Sequence, residues 1–261
     1  MGVFYSLFAY IKHYFSAKNA HGLHSPYVFD FYNHILHSEY DYYTFSTLER
    51  EYNLLIHNNQ EIEIEDFGEG AKTKGKYYKK KIAEIAKSST SKELVRKVLF
   101  QLANLHQCNK MLEIGTSLGF GSAYLAHARP RAEIITLEGA AEIAKIANQN
   151  HEKLLIQNVK IMVGEFSETL PKSTENQAFD LIYFDGNHNK KATLNYFEHC
   201  MKHKHDKSIF VFDDIYWSKE MTEAWEIIIM HPEVTRSIDF YHAGIIYFDK
   251  NLQKEHFKLN N

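Results

Sequence analysis

Cysteine is nearly missing from this chain of 261 residues, which has only Cys108 and Cys200. Two thiols cannot build a disulfide framework or a Cys-rich zinc module, and such sparing use fits a reducing, cytoplasmic setting. Proline is almost as scarce, with four residues, so Pro-rich linkers are excluded. No stretch approaches the ~18–20 consecutive apolar residues of a membrane span. Charge of one sign is also lacking. Lys and Arg total 30 against 33 Asp and Glu, a net charge of −3, whereas a protein that coats nucleic acid would be far more basic. The N-terminal MGVFYSLFAYIKHYFSAK has no basic leader, and Lys12 and His13 interrupt its apolar run, so it does not read as a signal peptide. Met1-Gly2 with Ser6 matches the short myristoylation pattern.

Aromatic residues are plentiful, at 14%, and they crowd the N-terminal quarter. Val3, Phe4, Phe8, Ile11 and Phe15 recur at helical spacing. The plainer reading is a helix packed on its own domain; the other is a membrane-surface or partner-binding helix. Phe29, Tyr32, Ile35 and Leu36 form a stripe after Pro26, and Leu48, Tyr52 and Leu55 form another. Residues 59–81 break the pattern. EIEIEDFGEG is acidic, KTKGKYYKKK is basic, and glycines stand at 68, 70 and 75, which reads as a mobile loop or linker. From Ser91, as an N-cap, Leu94, Val95, Val98, Leu99 and Leu102 fall on one helical face. Residues 1–90 are therefore expected to form a helical extension and 91–261 the main domain.

After residue 108 short apolar runs alternate with helical stretches. The runs lie at 111–115, 133–139, 159–165, 179–186 and 208–214, and the helical stretches include 119–128, 140–152, 189–203 and 217–230. This is βαβ alternation, which predicts an α/β fold with a parallel sheet covered by helices. Two further runs, 236–241 and 244–250, are separated by a short turn at His242-Ala243. A parallel crossover needs about a dozen residues or more, so these two strands must be antiparallel.

The segment from Leu112 to Ser122 joins the first of these strands to its helix. Gly115 and Gly119 let the backbone approach a ligand, with Thr116 and Ser117 between them, and the helix start supplies free N–H groups. The spacing Gly-x-x-x-Gly-x-Gly is neither the dinucleotide fingerprint nor a Walker loop. About twenty residues on, Glu138 ends the second strand, where a carboxylate can accept both hydroxyls of a ribose. Loop and carboxylate together imply an adenosine-type ligand. The plain alternative for the loop is a tight strand-to-helix turn.

Glu113-x-Gly115-x-x-x-Gly119, Glu138 and Gly164-Glu165 resemble the successive motifs of class I S-adenosylmethionine-dependent methyltransferases, over about residues 90–250. The resemblance implies a Rossmann-like, mostly parallel seven-stranded sheet with a C-terminal antiparallel strand, here carrying an N-terminal helical extension. It implies that Glu113 and Gly115 border the methionine end, that Glu138 holds the ribose, and that Glu165 and Phe166 sit near the adenine. The stretch from His21 to Phe29 is similar to the start of a group of small bacterial methyltransferases.

Asp185 follows the fourth strand, with His188 three residues later, and Asp213-Asp214 end the fifth. Carboxylates gathered this closely repel one another, and a hard cation such as Mg²⁺ relieves that. Asp213 and Asp214 can share one ion only if the strand stops there, because successive strand residues face opposite ways. The layout resembles the catechol and macrocin O-methyltransferase-like branches, in which Asp185, Asp213 and Asp214 match the metal positions and His188 the general base of some members. Asp185 would also border the cofactor. The resemblance implies metal-assisted O-methylation of a small-molecule hydroxyl. The alternatives are metal-independent methylation of RNA or protein, and a non-catalytic cofactor-binding protein. His199, His203 and His205 suggest a second metal cluster, but a helix-end dipole explains them more simply. Trp217 lines an acceptor pocket or packs on the sheet. The aromatic helices cap the site, fill a core or form a homodimer interface.

Overall fold

The computed structural model describes residues 2–19, 22–38, 40, 42–65 and 77–260, and side chains from residue 5 onward. Met1 of the myristoylation pattern, His21, and residues 66–76 with Lys72, Lys74 and Lys76 lie outside the described residues, as do the side chains of Val3 and Phe4. The chain forms two compact units, one of Met1–Glu39 with Gln177–Asn261 and the other of Tyr40–Asn176.

The first unit begins with helix α1 (Gly2–Ser16) and helix α2 (Pro26–Phe31), which runs on into a π-helical turn at Tyr32–Leu36. Pro26 sits in the first turn of α2, where its missing N–H costs nothing. Val28, Phe31, Ile35 and Leu36 are buried, while Phe29 is exposed. The buried stripe is thus rotated from the expected one, with Val28 and Phe31 in place of Phe29 and Tyr32.

The second unit carries α3 (Tyr43–Leu55), β1 (Glu61–Glu65), β2 (Tyr77–Lys81), α4 (Ile82–Ser88) and α5 (Glu93–Leu105). The expected loop at 59–81 is in fact strand at both ends. β1 and β2 pair antiparallel, with Glu61 opposite Lys81 and Glu63 opposite Lys79. The acidic and basic runs are the two sides of one ladder, and opposite charges across strands favour the pairing. The N-cap of α5 is Lys92 rather than Ser91. Ser91 instead offers its carbonyl to the guanidinium of Arg96, a buried side chain that also meets Glu49 at 2.7 Å.

Next come β3 (Lys110–Ile114), α6 (Phe120–Ala128), β4 (Glu133–Glu138), α7 (Ala141–Lys153), β5 (Val159–Val163) and α8 (Phe166–Thr174). β3, β4 and β5 are parallel neighbours in that order. Met111, Leu112, Ile134 and Leu137 are fully buried, as expected for strands covered on both faces.

The first unit resumes with β6 (Phe179–Phe184), α9 (Lys190–Cys200), β7 (Lys204–Asp213), α10 (Lys219–Met230), β8 (Arg236–Asp239), β9 (Ala243–Tyr247) and β10 (Glu255–Lys258). Its strands lie in the order β10-β8-β9-β7-β6. β9 is antiparallel to both β7 and β8, as the short turn requires, and β6–β7 and β10–β8 are parallel. β10 adds a fifth strand to this unit, one that the sequence pattern does not show. Gly244 on β9 is a point of close approach, since a Cβ there would stand 2.5 Å from the Trp225 ring of α10.

Candidate active site

The glycine loop follows β3 and begins α6. Gly115 (φ 105°), Ser117 (φ 47°) and Gly119 (φ 85°) all take left-handed backbone, so the chain folds into a tight cradle. Gly119 has a second constraint, because a Cβ there would meet His151 Nε2 at 2.6 Å. His151 Nε2 lies 3.0 Å from the Gly119 carbonyl, and Asn150 Nδ2 donates to the Leu118 carbonyl at 2.9 Å. α7 therefore supports the loop from behind. The backbone N–H groups of Gly115 and Thr116 both donate to the Leu137 carbonyl, which fixes the loop to the end of β4.

Glu138 closes the cradle. Its Oε2 accepts from the Ser117 N–H at 2.9 Å, and its Oε1 from the Ala140 N–H at 3.0 Å. Burial raises its pKa, and the backbone donors from Ala140, Ser117 and Gly139 oppose that. A carboxylate has about four lone-pair sites, so acceptor capacity remains on both oxygens. The Ser117 hydroxyl is buried without a partner among the described residues. An orphaned hydroxyl beside a carboxylate with spare acceptor capacity, on a loop turned tightly by Gly115 and Gly119, fits a polyhydroxyl ligand such as the ribose of S-adenosylmethionine.

Glu113 is completely buried at the end of β3. Thr136 Oγ1 donates to its Oε2 at 2.6 Å. That uses the only Thr136 proton, so Thr116, 2.6 Å away, donates to Thr136. Burial nevertheless pushes the Glu113 pKa up to about 8, with Glu138 adding to the rise and Thr136 and Ser122 opposing it. Such a group wants a cation beside it. Gly164, after β5, donates its N–H to the Glu138 carbonyl, and Glu165 and Phe166 open α8, both half-buried.

The acidic cluster lies in the other unit, at the ends of β6 and β7. β7 stops at Asp213, and Asp214 turns into left-handed backbone at φ 51°. That is the strand end which two consecutive aspartates need in order to share surroundings. The Asp214 N–H donates to the His242 carbonyl at 2.9 Å and approaches Asp213 Oδ1 at 3.0 Å. Asp213 is buried, and its Oδ2 accepts from the Tyr183 hydroxyl at 2.7 Å. Burial and the neighbouring Asp214 charge push its pKa up to about 7, while Tyr183, the Asp214 N–H and Asp185 pull it back. His188 Nε2 stands 3.6 Å from Asp185 Oδ1. Burial lowers the His188 pKa, and Asp214 opposes this. Trp217 is exposed beside it, with ring centres 6.3 Å apart, rather than packed on the sheet.

Asp185, His188, Asp213 and Asp214 do converge, but the three aspartates do not stand as a ready three-ligand cage. Among the described residues no three His, Cys, Asp or Glu are disposed to hold a metal ion. The donor set still suits a hard divalent cation in kind and in charge, being oxygen-only, anionic and mutually repulsive. His199 and His203 stack at 5.0 Å at the end of α9, while His205 pairs with Asp180, so the three histidines do not form a cluster.

Three supporting residues escape sequence reasoning. Thr136 is a polar residue inside an apolar strand, a signal that was there to read. Tyr183 looks like core, and His151 gives no local sign of facing Gly119.

A family model described as "Methyltransferase domain" matches residues 112–215. A catechol O-methyltransferase of Niastella koreensis is 31% identical over 123 residues, 46% of this chain and 55% of that protein. The chain spans about half the length of the curated relatives it matches. Among solved structures, cofactor-bound Rv0187 from MTB aligns with 88% of this chain and 99% of its own, at 18% identity and a TM-score of 0.59. An O-methyltransferase from Bacillus cereus in complex with SAH aligns with 61% of this chain and 82% of its own, at 21% identity and a TM-score of 0.54. At these identities the structural likeness concerns the fold, and it agrees with the Rossmann-like arrangement read from the sequence. The family match over residues 112–215 and the shared fold agree with the cradle in pointing to a methyltransferase domain there.

Proposed function

We propose that this protein is an S-adenosylmethionine-dependent O-methyltransferase that acts on a small-molecule hydroxyl with the help of a divalent cation. The observation that carries the reading is the cradle of Gly115, Gly119 and Glu138 around the unpartnered Ser117 hydroxyl. On this reading residues 91–261 carry the chemistry and 1–90 cap it. The bound cofactor supplies a sulfonium methyl. Glu138 and Ser117 take the ribose hydroxyls, Glu113 and Gly115 border the methionine end, and Glu165 and Phe166 flank the adenine. Thr116 holds the Thr136–Glu113 chain of hydrogen bonds in place.

The acidic cluster orients and deprotonates the acceptor. His188 is neutral at pH 7, because burial lowers its pKa, so it is ready to take the hydroxyl proton. Asp185, Asp213 and Asp214 would hold Mg²⁺, whose chemistry is to acidify a coordinated hydroxyl and fix its direction. The similarity to a catechol O-methyltransferase makes an aromatic vicinal diol the first acceptor to try. A second reading, methyl transfer without metal, is favoured by the burial of Asp213, which pushes its pKa up to about 7.

Calorimetric titration with S-adenosylhomocysteine, with and without Mg²⁺, tests both readings. Micromolar binding is expected, abolished by Glu138→Ala, together with a separate Mg²⁺ heat that disappears in Asp213→Ala. Binding without any Mg²⁺ heat removes the metal and leaves the second reading. No binding under any condition removes the methyltransferase reading.

A further inference from the structure

Helix α1 is uncharged apart from Lys12 and His13, and it is apolar almost all the way round. A helix of that kind needs cover on every side. Its own unit covers only one. Ala9 and His13 are buried, Tyr5 donates to Thr222 Oγ1 at 2.9 Å, Tyr241 donates to the Ser6 carbonyl at 2.8 Å, and His13 Nε2 lies 3.0 Å from Asp239. The opposite side carries Leu7, Phe8, Ile11, Tyr14 and Phe15, all exposed, with Phe8 at 67% and Phe15 at 82%. These positions follow i, i+1, i+4, i+7 and i+8, which is the seam of a helix that packs against another helix. The plainer sequence reading, a helix packed on its own domain, thus describes the Ala9 and His13 side of α1.

We infer that this seam is the contact surface for a second copy of the same chain, joined α1 to α1 in antiparallel fashion. Two arguments select that occupant. The first is area. With Tyr10 included, the exposed seam offers about 700 Å², taking about 200 Å² for each side chain, within the range of about 600–1,000 Å² per partner that stable interfaces bury. The second is self-complementarity, which a two-fold contact requires. Around an axis at Ile11, Leu7 falls opposite the partner's Phe15, Phe8 opposite the partner's Tyr14, and Ile11 opposite itself. These pairs are apolar or aromatic, Tyr10 falls opposite the partner's Lys12, and no like charges meet. A lipid surface is the weaker fit. Membrane-surface helices carry a basic face, whereas this helix has one lysine and the chain a net charge of −3.

Light scattering on the purified full chain at about 100 µM is expected to give twice the chain mass. Phe8→Glu/Phe15→Glu should halve that mass with the far-UV spectrum unchanged, since both side chains are exposed. Ile11→Cys should form a disulfide-linked dimer on mild oxidation, while Leu155→Cys, exposed at 85% on the other unit, should not. The native cysteines are buried and add no background. A monomeric wild-type chain overturns the inference, and flotation of that monomer with phosphatidylcholine–phosphatidylglycerol vesicles would hand the surface to lipid. A dimer that survives the double substitution, with Ile11→Cys failing to cross-link, also overturns it.

Discussion

The cradle at the end of β4 and the acidic cluster at the end of β7 are made of different materials. Backbone groups build the cradle. The N–H groups of Ser117 and Ala140 meet Glu138, and two more meet the Leu137 carbonyl, on a loop bent by Gly115 and Gly119. Side chains build the acidic cluster, where Asp185, Asp213, Asp214 and His188 lie close together and the Asp214 charge raises the Asp213 pKa. The cradle's backbone groups are matched before any ligand arrives. The cluster is electrostatically tense and depends on what binds there. A loop made of backbone tolerates few substitutions, whereas the cluster depends on the charge state of its side chains.

The largest expected effect breaks the cradle. Glu138→Ala removes the ribose acceptor and also leaves the Ser117 and Ala140 N–H groups unmatched. S-adenosylhomocysteine affinity should fall at least ~100-fold, which corresponds to about 2.7 kcal/mol, and calorimetry reads it directly. Gly119→Ala comes next. The left-handed backbone and the 2.6 Å approach to His151 should cost at least about 2 kcal/mol, seen as a lower midpoint in urea unfolding. If Gly119→Ala leaves the midpoint unchanged, the cradle is less rigid than its contacts indicate.

A pH series sharpens the contrast from inside the cradle. Glu113 holds its proton up to about 8 when folded, against a usual value of 4.5. Folding therefore takes up a proton between those values. The stabilisation is complete below about pH 4.5 and is lost as pH rises through about 8, with a slope of at most about 1.4 kcal/mol per pH unit. Ligand-free Glu113→Gln should flatten that part of the stability profile in thermal melts at successive pH values. The smallest effect belongs to Tyr183→Phe, which removes one donor from Asp213. It should cost about 1 kcal/mol and shift the acidic limb of any activity profile upward, because the Asp213 carboxylate loses a stabilising bond.

The difference between the two regions also governs how much of each was legible in the sequence. Glycine spacing, the carboxylate about twenty residues on, and the strands that carry them are local features, and they read correctly from the chain. The charge ladder of β1 and β2 was visible as two runs of opposite sign, but their pairing depends on contacts across a gap in sequence. The acidic residues were legible as types, and the strand end at Asp213 was anticipated as a condition. What was not legible was that Tyr183 and the Asp214 N–H already occupy Asp213. That depends on which face of β6 meets which face of β7, and no local pattern encodes it. β10 escaped for a plainer reason: it is four residues long, two of them charged, and it alternates in burial without an apolar core.

The buried carboxyl of Glu113 has a thermodynamic consequence for ligand uptake. At pH 7 it still carries its proton, and an incoming sulfonium and ammonium would make the charged form the favoured one. Loading the cofactor should therefore expel a proton into the medium. The heat of binding then becomes a property of the buffer as well as of the protein. Titrations in phosphate and in Tris should differ by the two buffers' ionisation enthalpies, multiplied by the fraction of a proton released, and Glu113→Gln should make the two heats equal.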